Sequence, residues 1–463
     1  MRVLLIQPDY RRRAESGDEL AARLLPARSL LELGGRLEAE GHEVTVLDPL
    51  TGIGPEGELD LEAALARLTA EREFDLAGIA VYTATRQEAH RLAAAIKRRS
   101  RRTRVVVGGP HPGPLARGLL EAWREIDFVC MGAADDSLPA LASSLAGSGG
   151  PAFRIRNLGF RTSTGQVRVN GKPDYHADLG RLPPVRYHRY LERVPGGRLR
   201  RAYVMSARGC DHWCNFCSQL WKKVLLAAPA EVAAEIAHLA RDCGAEEVIL
   251  YDDCFGMRPD HARAVLEAVI ASGVEVRLQA VTRFDAIEDD WLGFFRRAGG
   301  RDLLVGLESG APRLRKRMNK HMAEGELCRG AELVRRHGLR LGVFLMFGFP
   351  HEDEGDVEDT YRLLKKLEPA QVMSTVFDIK PGDLLFEFAL MSRTITAEAW
   401  LDEDRRLING MEPEAQARAA ARAMAFDRMF TREVLMPEHD PAAFILGLDP
   451  AGLEPMIEQE IKR

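Results

Sequence analysis

Short apolar runs that alternate with helical stretches are the feature that most constrains this chain. Runs such as RVLLIQP, HEVTVLDP and LAGIAVYTA carry hydrophobic residues at successive positions, which is typical of parallel strands that are buried on both faces. The stretch between the first two runs, ARSLLELGGRLEAEG, repeats leucine on one helical face and ends at Gly41, a common helix terminator. We therefore predict an α/β fold in which residues 1–145 form a Rossmann-like domain that binds its ligand at the carboxyl ends of the strands.

A second series of strands and helices follows an intervening segment. Residues 146–200 contain NGK, which looks like a hairpin turn, and end in the proline-bearing RLPPVRY, so we predict a β-rich connector there. Six apolar runs within residues 201–389 predict a partial (βα)6 barrel of the TIM type, with its chemistry at the carboxyl ends of the strands. Residues 390–463 are predicted to form a small helical region that packs on the barrel or covers the substrate.

The bulk composition excludes several classes of protein. The 463 residues carry a net charge of −5, contain no long apolar run and show no secretory signal, so we expect a cytoplasmic protein without a membrane segment. Seven cysteines, an odd number, are expected to stay reduced. The basic runs at residues 11–13 and 97–104 lack interleaved aromatic residues, which indicates solvated helix ends and no nucleic-acid partner.

Three of the cysteines are clustered. Cys210, Cys214 and Cys217 have the spacing CxxxCxxC directly after the first strand of the second series. Thiolates bind zinc or iron–sulfur clusters, and a structural zinc normally takes a fourth ligand. His212 is awkwardly placed to be that ligand, which leaves a distant cysteine. A cubane cluster can leave one iron without a protein ligand, so three cysteines suit a cluster whose open iron binds a substrate.

The stretch ARGCDHWCNFC resembles the cluster-binding loop of the radical S-adenosylmethionine (SAM) enzymes, including the aromatic Phe216. The resemblance implies that Cys210, Cys214 and Cys217 are the catalytic metal ligands, which hold a [4Fe–4S] cluster whose open iron chelates SAM. The segments VILYDDCFG, TRFD, VGLESG, RMNK and FLMFGFPHED follow in the order expected for that family. The SAM contacts that they imply are Phe216, Asp252, Asp253, Arg283, Glu308, Ser309 and Gly348.

The first domain is similar to the cobalamin-binding domain that one large class of radical SAM enzymes carries. The similarity rests on VVVGGPHPGPLARG and on LLPARSLLELGGRLEAEGHEVTVLDP. Leu50 stands where D-x-H-x-x-G domains have a cobalt-binding histidine, so the similarity implies cobalamin without that ligand; an empty relic of the domain is the alternative. The implied cobalamin contacts are Asp9, Tyr82, Thr83, Gly108, Gly109, Pro110, His111 and Gly132.

We therefore expect a cobalamin-dependent radical SAM enzyme. The resemblance implies reductive cleavage of SAM and abstraction of hydrogen from an unactivated carbon by the 5′-deoxyadenosyl radical. Methyl transfer from methylcobalamin would follow, as in a C-methyltransferase of natural-product or specialised metabolism. Cyclisation, ring contraction or oxidation without methyl transfer is the first alternative, and a non-enzymatic cobalamin or zinc sensor is the second. The expected partners are a small-molecule substrate and an external electron donor such as flavodoxin or ferredoxin.

Overall fold

The structure is a computed structural model that describes residues 1–9, 24–54, 57–171, 185, 187–218, 222–401, 408–437, 439 and 450–462. The chain divides into two compact units. The first consists of Met1–Leu199, Ser218–Leu220 and Lys380–Ile408. The second consists of Arg200–Cys217, Trp221–Ile379 and Asn409–Arg463.

The first unit contains a sheet of seven described strands. In chain order they are β1 (Arg2–Ile6), β2 (Glu43–Leu47), β3 (Leu76–Ala80), β4 (Arg104–Gly108), β5 (Phe128–Cys130), β6 (Leu158–Arg161) and β7 (Val167–Val169). Their order across the sheet is β2-β1-β3-β4-β5-β6-β7. The first five strands are parallel, and β6 and β7 are added antiparallel. The central strands are buried on both faces, as their continuous apolar runs predict.

Four described helices connect the parallel strands of the first unit, namely α1 (Arg28–Ala39), α2 (Leu61–Glu71), α3 (Arg86–Arg99) and α4 (Ala116–Ala122). The helix α5 (Ser137–Leu145) leads from β5 to the antiparallel β6, and the short α6 (His188–Leu191) follows β7. Leu30, Leu31 and Leu37 form the buried face of α1. Gly41 follows that helix with a φ of 84°, the left-handed conformation that ends helices and that glycine adopts without strain.

The hairpin of the predicted connector lies earlier than NGK. The main-chain N–H of Thr162 donates to the carbonyl of Gln166 at 2.8 Å, and Gly165 between them has a φ of 82°. Asn170 instead continues the ladder, because its N–H donates to the carbonyl of Leu158 at 2.9 Å. A tight turn is thus made at TSTG, whereas the predicted turn at NGK extends into residues 172–184, which lie outside the described part of the chain. The domain boundaries at residues 145, 200 and 389 stay a prediction.

The second unit contains a parallel sheet of six described strands and a small antiparallel pair. In chain order the strands are β8 (Arg201–Val204), β9 (Ala207–Arg208), β10 (Leu225–Leu226), β11 (Glu247–Leu250), β12 (Arg277–Arg283), β13 (Gly300–Glu308), β14 (Arg340–Phe347) and β15 (Gln371–Val376). The parallel sheet has the order β8-β11-β12-β13-β14-β15, and β9 pairs with β10. Helices lie between these strands, namely α7 (Pro229–Arg241), α8 (Pro259–Ser272), α9 (Asp289–Arg297), α10 (Pro312–Arg317), α11 (Glu324–Arg336) and α12 (Glu354–Leu367). The predicted partial (βα)6 barrel is confirmed.

A polar network closes the amino ends of the barrel strands. The Gln279 amide donates to Asp302 Oδ2 at 3.0 Å and to the carbonyl of Leu435 at 2.7 Å. From the far strand, Gln371 Oε1 accepts the N–H of Leu435 at 2.7 Å. The Leu435 side chain packs in the core with Leu304. The carboxyl ends of the strands are therefore the end left for ligands.

The last described helices are α13 (Leu384–Met391), α14 (Pro413–Phe430) and α15 (Pro450–Lys462). In the second unit, α14 packs against β15 and α15, and Arg422 of α14 forms a 3.3 Å ion pair with Glu460 of α15. The described part of residues 390–463 is thus largely helical, as predicted. Of the helices described, none is long and apolar enough to cross a membrane.

Candidate active site

The three clustered cysteines lie in the loop between β9 and β10. Cys210 and Cys214 are half-buried, whereas Cys217 is exposed. The N–H of Cys217 donates to the carbonyl of Cys214 at 3.2 Å, so the last two cysteines share one turn. Burial raises the pKa of the Cys210 thiol to about 11, which means that a bound metal has to stabilise its thiolate. Phe216 lies in the same turn and is half-buried.

Two aspartates after β11 hold the start of this loop. Asp252 accepts the N–H of Ser206 at 2.6 Å and the N–H of Ala207 at 3.1 Å. Asp253 Oδ2 accepts the N–H of Gly209 at 2.7 Å. Burial raises the pKa of Asp252 to about 6, against the effect of these hydrogen bonds. Both carboxylates therefore fix the main chain that leads into the cysteine turn, and their predicted contact with SAM stays a prediction.

Arg283 ends β12 beside the cysteines. Its Nη1 lies 3.3 Å from Cys214 Sγ, and Nε and Nη2 donate to the two oxygens of Asp285 at 2.9 and 2.7 Å. Burial disfavours the charged guanidinium, but the hydrogen bonds and charge of Asp285 outweigh that effect and raise the pKa of Arg283. Asp285 was not among the predicted site residues, although it belongs to the quoted motif TRFD.

Glu308 ends β13 and pairs with a lysine. Lys320 Nζ donates to Glu308 Oε1 at 2.8 Å, and the lysine side chain is only 4% exposed. Glu308 has a φ of 67°, which is costly for a side chain of this size. Gly306 leaves the space for this pair, because a Cβ on it would lie 2.8 Å from Lys320 Nζ. Ser309, which follows, is buried and its hydroxyl accepts the N–H of Ala311 at 3.1 Å.

The motif RMNK is hydrogen-bonded to the cysteine loop. The side-chain amide of Asn319 donates to the carbonyl of Trp213 at 2.7 Å, and that of Asn215 donates to the carbonyl of Arg317 at 2.6 Å. The N–H of Asn215 donates to the carbonyl of Met318 at 3.2 Å. Asn319 has a φ of 56°, a conformation that asparagine tolerates better than most residues. These reciprocal bonds fix the loop on both sides of Cys214.

Gly348 follows β14 at the same edge of the sheet. Its φ is 80°, and a Cβ would meet Met411 Cε at 2.7 Å. Its N–H donates to Glu352 Oε2 at 2.7 Å. Burial raises the pKa of Glu352 to about 7. Glu352 was another residue missed in the sequence, although it belongs to the quoted FLMFGFPHED.

The predicted cobalamin contacts lie at the carboxyl edge of the first sheet. Asp9 comes after β1, Tyr82 and Thr83 after β3, the run from Gly108 to His111 at the end of β4, and Gly132 after β5. Gly109 has a φ of 111°, and a Cβ on it would lie 2.8 Å from the carbonyl oxygen of Val81. The half-exposed Gly108, Gly109 and Pro110 present main chain at this edge, which suits a large flat ligand.

His111 is buried beside Thr83, in contrast to its half-exposed neighbour Pro110. Its Nδ1 lies 3.2 Å from Thr83 Oγ1. Burial and the charge of Arg86 lower the pKa of His111 to about 3. The imidazole is therefore neutral near pH 7.

Asp48, the aspartate of the D-x-H-x-x-G comparison, has a structural role. This buried carboxylate accepts the Tyr190 hydroxyl at 2.6 Å and the N–H of Ala27 at 2.9 Å. It also accepts the N–H of Thr51 at 3.0 Å, and Leu50 is buried next to it. Asp48 is thus used to join three segments of the first unit.

Comparison with known families identifies both units. A model of the radical SAM superfamily matches residues 204–364, and a model of the B12 binding domain matches residues 21–142. The chain belongs to the cobalamin-dependent radical SAM enzymes. An uncharacterized methyltransferase of Pyrococcus horikoshii is 24% identical to this enzyme over 78% of each chain. The anaerobic magnesium-protoporphyrin IX monomethyl ester cyclase of Synechocystis is 24% identical over 81% of this chain and 74% of its own.

Solved structures of cobalamin-dependent radical SAM enzymes share the fold of this radical SAM enzyme. The methyltransferase TsrM from Kitasatospora setae, with cobalamin and a [4Fe–4S] cluster bound, superposes with a TM-score of 0.67 at 20% identity, over 86% of this chain and 79% of its own. OxsB with aqua-cobalamin has a TM-score of 0.66 at 14% identity, over 85% of this chain and 55% of its own.

The cofactors of this radical SAM enzyme are therefore a [4Fe–4S] cluster, SAM and cobalamin. The residues fit them. The three thiols share one loop held from two sides, and a cation lies beside Cys214. At the carboxyl edge of the first sheet, glycines leave the main chain uncovered by side chains. The assignment of single residues to single cofactors stays a proposal.

Proposed function

We propose that this enzyme is a C-methyltransferase that acts on a small-molecule substrate. The observation that carries the proposal is the cysteine loop at the carboxyl end of β8, in a chain that also has a B12 binding domain. The methyltransferase of P. horikoshii and TsrM, each similar over more than three quarters of this chain, support methyl transfer. When bound, the cluster and SAM supply a carbon-centred radical, and cobalamin supplies the methyl group.

The residues of the barrel orient these reactants. Cys210, Cys214 and Cys217 would hold the cluster. Arg283 places a fixed positive charge beside Cys214, which would offset the negative charge of a thiolate at this position. Asp285 in turn fixes the guanidinium by a bidentate pair. These contacts preorganise the loop, so that little rearrangement is needed when the cofactor binds.

The Glu308–Lys320 pair lies at the strand end where SAM would bind. The Lys320 side chain is almost fully buried and its Nζ lies 2.8 Å from Glu308 Oε1, so the pair fixes the position of the Glu308 carboxylate. We assign Glu308, Ser309 and Gly348 to the binding of SAM, since all three follow strands of the barrel at their carboxyl ends. At the first sheet, Thr83 and the glycines after β4 would hold cobalamin.

Radical cyclisation or oxidation without methyl transfer is the second candidate. It is favoured by the similarity to the magnesium-protoporphyrin ester cyclase of Synechocystis, which covers 81% of this chain. The two candidates use the same cofactors but differ in the atoms of the product. Methyl transfer adds a carbon from SAM, whereas cyclisation adds none.

Labelled SAM separates the two candidates. The reconstituted enzyme is incubated without oxygen with SAM deuterated in its methyl group, a reductant and a small-molecule extract of the source cells. We expect a product that carries the deuterated methyl group on carbon. The label should be absent with Cys214→Ala and present with Cys328→Ala, a half-buried cysteine outside the loop. A product formed without the label would overturn methyl transfer in favour of cyclisation.

A further inference from the structure

We propose that a basic patch around the cysteine loop is the docking surface for a small acidic electron-carrier protein. The patch consists of Trp213, Lys222, Lys223, Lys316 and Arg317. The proposal rests on the assigned enzyme class, because reduction of the cluster requires an external electron. It does not depend on whether the product is methylated.

The patch is tied to the cysteine loop by hydrogen bonds. The carbonyl of Trp213 accepts from Asn319 at 2.7 Å, and the carbonyl of Arg317 accepts from Asn215 at 2.6 Å. Lys222 Nζ donates to the carbonyl of His212 at 2.9 Å and lies 5.0 Å from the centre of the Trp213 ring. An electron carrier on this surface would therefore lie against the loop that holds the cluster.

The patch carries positive charge that the rest of the surface does not neutralise. Lys223, Lys316 and Arg317 are exposed, and no ion pair to them is found in the part of the chain that the structure describes. Nearby cations are paired instead, as Arg258 is with Asp211 at 2.8 Å. The whole chain has a net charge of −5. A local excess of cations on an acidic protein steers an acidic partner to this surface.

Trp213 is the residue of the patch that offers an apolar contact to the electron carrier. Its side chain is 56% exposed although it lies between Cys210 and Cys214 of the loop. Exposed tryptophans and arginines are the residue types that most often dominate the energy of protein interfaces. Redox complexes are short-lived and bury little surface, so one aromatic residue and a few cations suffice. Cys217 is also exposed, which shortens the path for the electron.

A comparison of two reductants tests the proposal. The release of 5′-deoxyadenosine by the holoenzyme is measured with two reductants, either dithionite or NADPH with flavodoxin reductase and flavodoxin. The double variant Lys223→Glu, Lys316→Glu should lose about tenfold in the flavodoxin-driven rate at low salt, because steering of this kind accelerates association by one or more orders of magnitude. The dithionite-driven rate should not change, since neither side chain hydrogen bonds to the loop.

A matched control and a binding measurement complete the test. Arg301→Glu reverses an exposed charge at the amino end of β13, the opposite edge of the barrel, and should behave like the wild type. Binding of oxidised flavodoxin to the full chain should weaken about tenfold in the double variant and should weaken with salt in the wild type. Unchanged flavodoxin affinity, or equal losses with both reductants, would overturn the proposal. The ratio of the flavodoxin-driven rate to the dithionite-driven rate does not depend on which product forms. Failure of the proposed methyl transfer would therefore leave the docking proposal intact.

Discussion

The guanidinium of Arg283 lies 3.3 Å from the sulfur of Cys214 and is held in place by both carboxylate oxygens of Asp285. The three residues come from the cysteine loop and from the end of β12. The positive guanidinium thus lies between the cysteine sulfur and the negative carboxylate, which balances the charge of a half-buried site. The arrangement makes Arg283 a residue that positions and neutralises the cysteine loop.

Arg283→Ala should therefore impair the site strongly. The substitution leaves Asp285 without its partner beside the thiolates, and an uncompensated carboxylate there repels them. We expect SAM cleavage to fall at least about tenfold, which corresponds to about 1.4 kcal/mol, together with lower iron content. Arg277→Ala, at the exposed start of the same strand, removes only a surface pair with Glu246 and should have little effect. Wild-type activity and iron content in Arg283→Ala would contradict this role.

Lys320→Met should weaken SAM binding. The change keeps the length of the side chain but removes the buried lysine partner of the half-buried Glu308, which costs more than the loss of an exposed pair. We expect the dissociation constant of SAM to rise about tenfold, or about 1.4 kcal/mol, as measured by equilibrium dialysis. Adding Glu308→Gln should not double the loss, because the two residues act as one unit. The exposed Lys365→Met serves as the control, and additive losses would refute the coupling.

Gly306→Ala should reproduce the defect of Lys320→Met without removing any charge. The added Cβ would lie 2.7 Å from Glu308 Oε1 and 2.8 Å from Lys320 Nζ, so the ion pair has to move. Gly325→Ala in α11 is the matched control, because nothing lies within 4 Å of its Cβ position and alanine favours a helix. SAM affinity measured on both variants checks the prediction, and equal affinities would show that the pair does not depend on this space.

The first unit should lose stability in acid because of His111. Its pKa is lowered to about 3 in the folded chain, whereas an unfolded histidine takes up a proton near pH 6.5. The stability that depends on neutral His111 is therefore complete above about pH 6.5 and is lost as the pH falls toward 3. Between pH 7 and 5 the loss amounts to about 2 kcal/mol.

Urea unfolding followed at pH 7 and 5 measures this loss. His111→Gln should flatten the dependence, since glutamine does not titrate in that range. The exposed His188→Gln should leave the wild-type dependence unchanged. If His111→Gln loses as much stability between pH 7 and 5 as the wild type does, other groups cause the acid sensitivity.

The sequence predicts the elements of this fold better than it predicts the contacts between them. Continuous apolar runs indicate buried parallel strands because the pattern is local, and the spacing of Cys210, Cys214 and Cys217 is local as well. The hydrogen bond from Asn319 to Trp213 and the Glu308–Lys320 ion pair depend on which loops meet at one sheet edge, and no single segment of the sequence specifies that. Packing of the last helices on the barrel could be predicted, but the bond from Gln279 to Leu435 spans 156 residues, so no local pattern indicates which residue closes the amino end.

The release of 5′-deoxyadenosine by Cys214→Ala under anaerobic reducing conditions, with Cys328→Ala as the matched control, tests most directly whether the three cysteines hold a cluster that cleaves SAM. We expect the wild type and Cys328→Ala to bind about four iron ions per chain and to cleave SAM, and Cys214→Ala not to cleave it. Release of 5′-deoxyadenosine by Cys214→Ala at the wild-type rate, or one zinc ion in place of the iron, would show that the cysteines have another role.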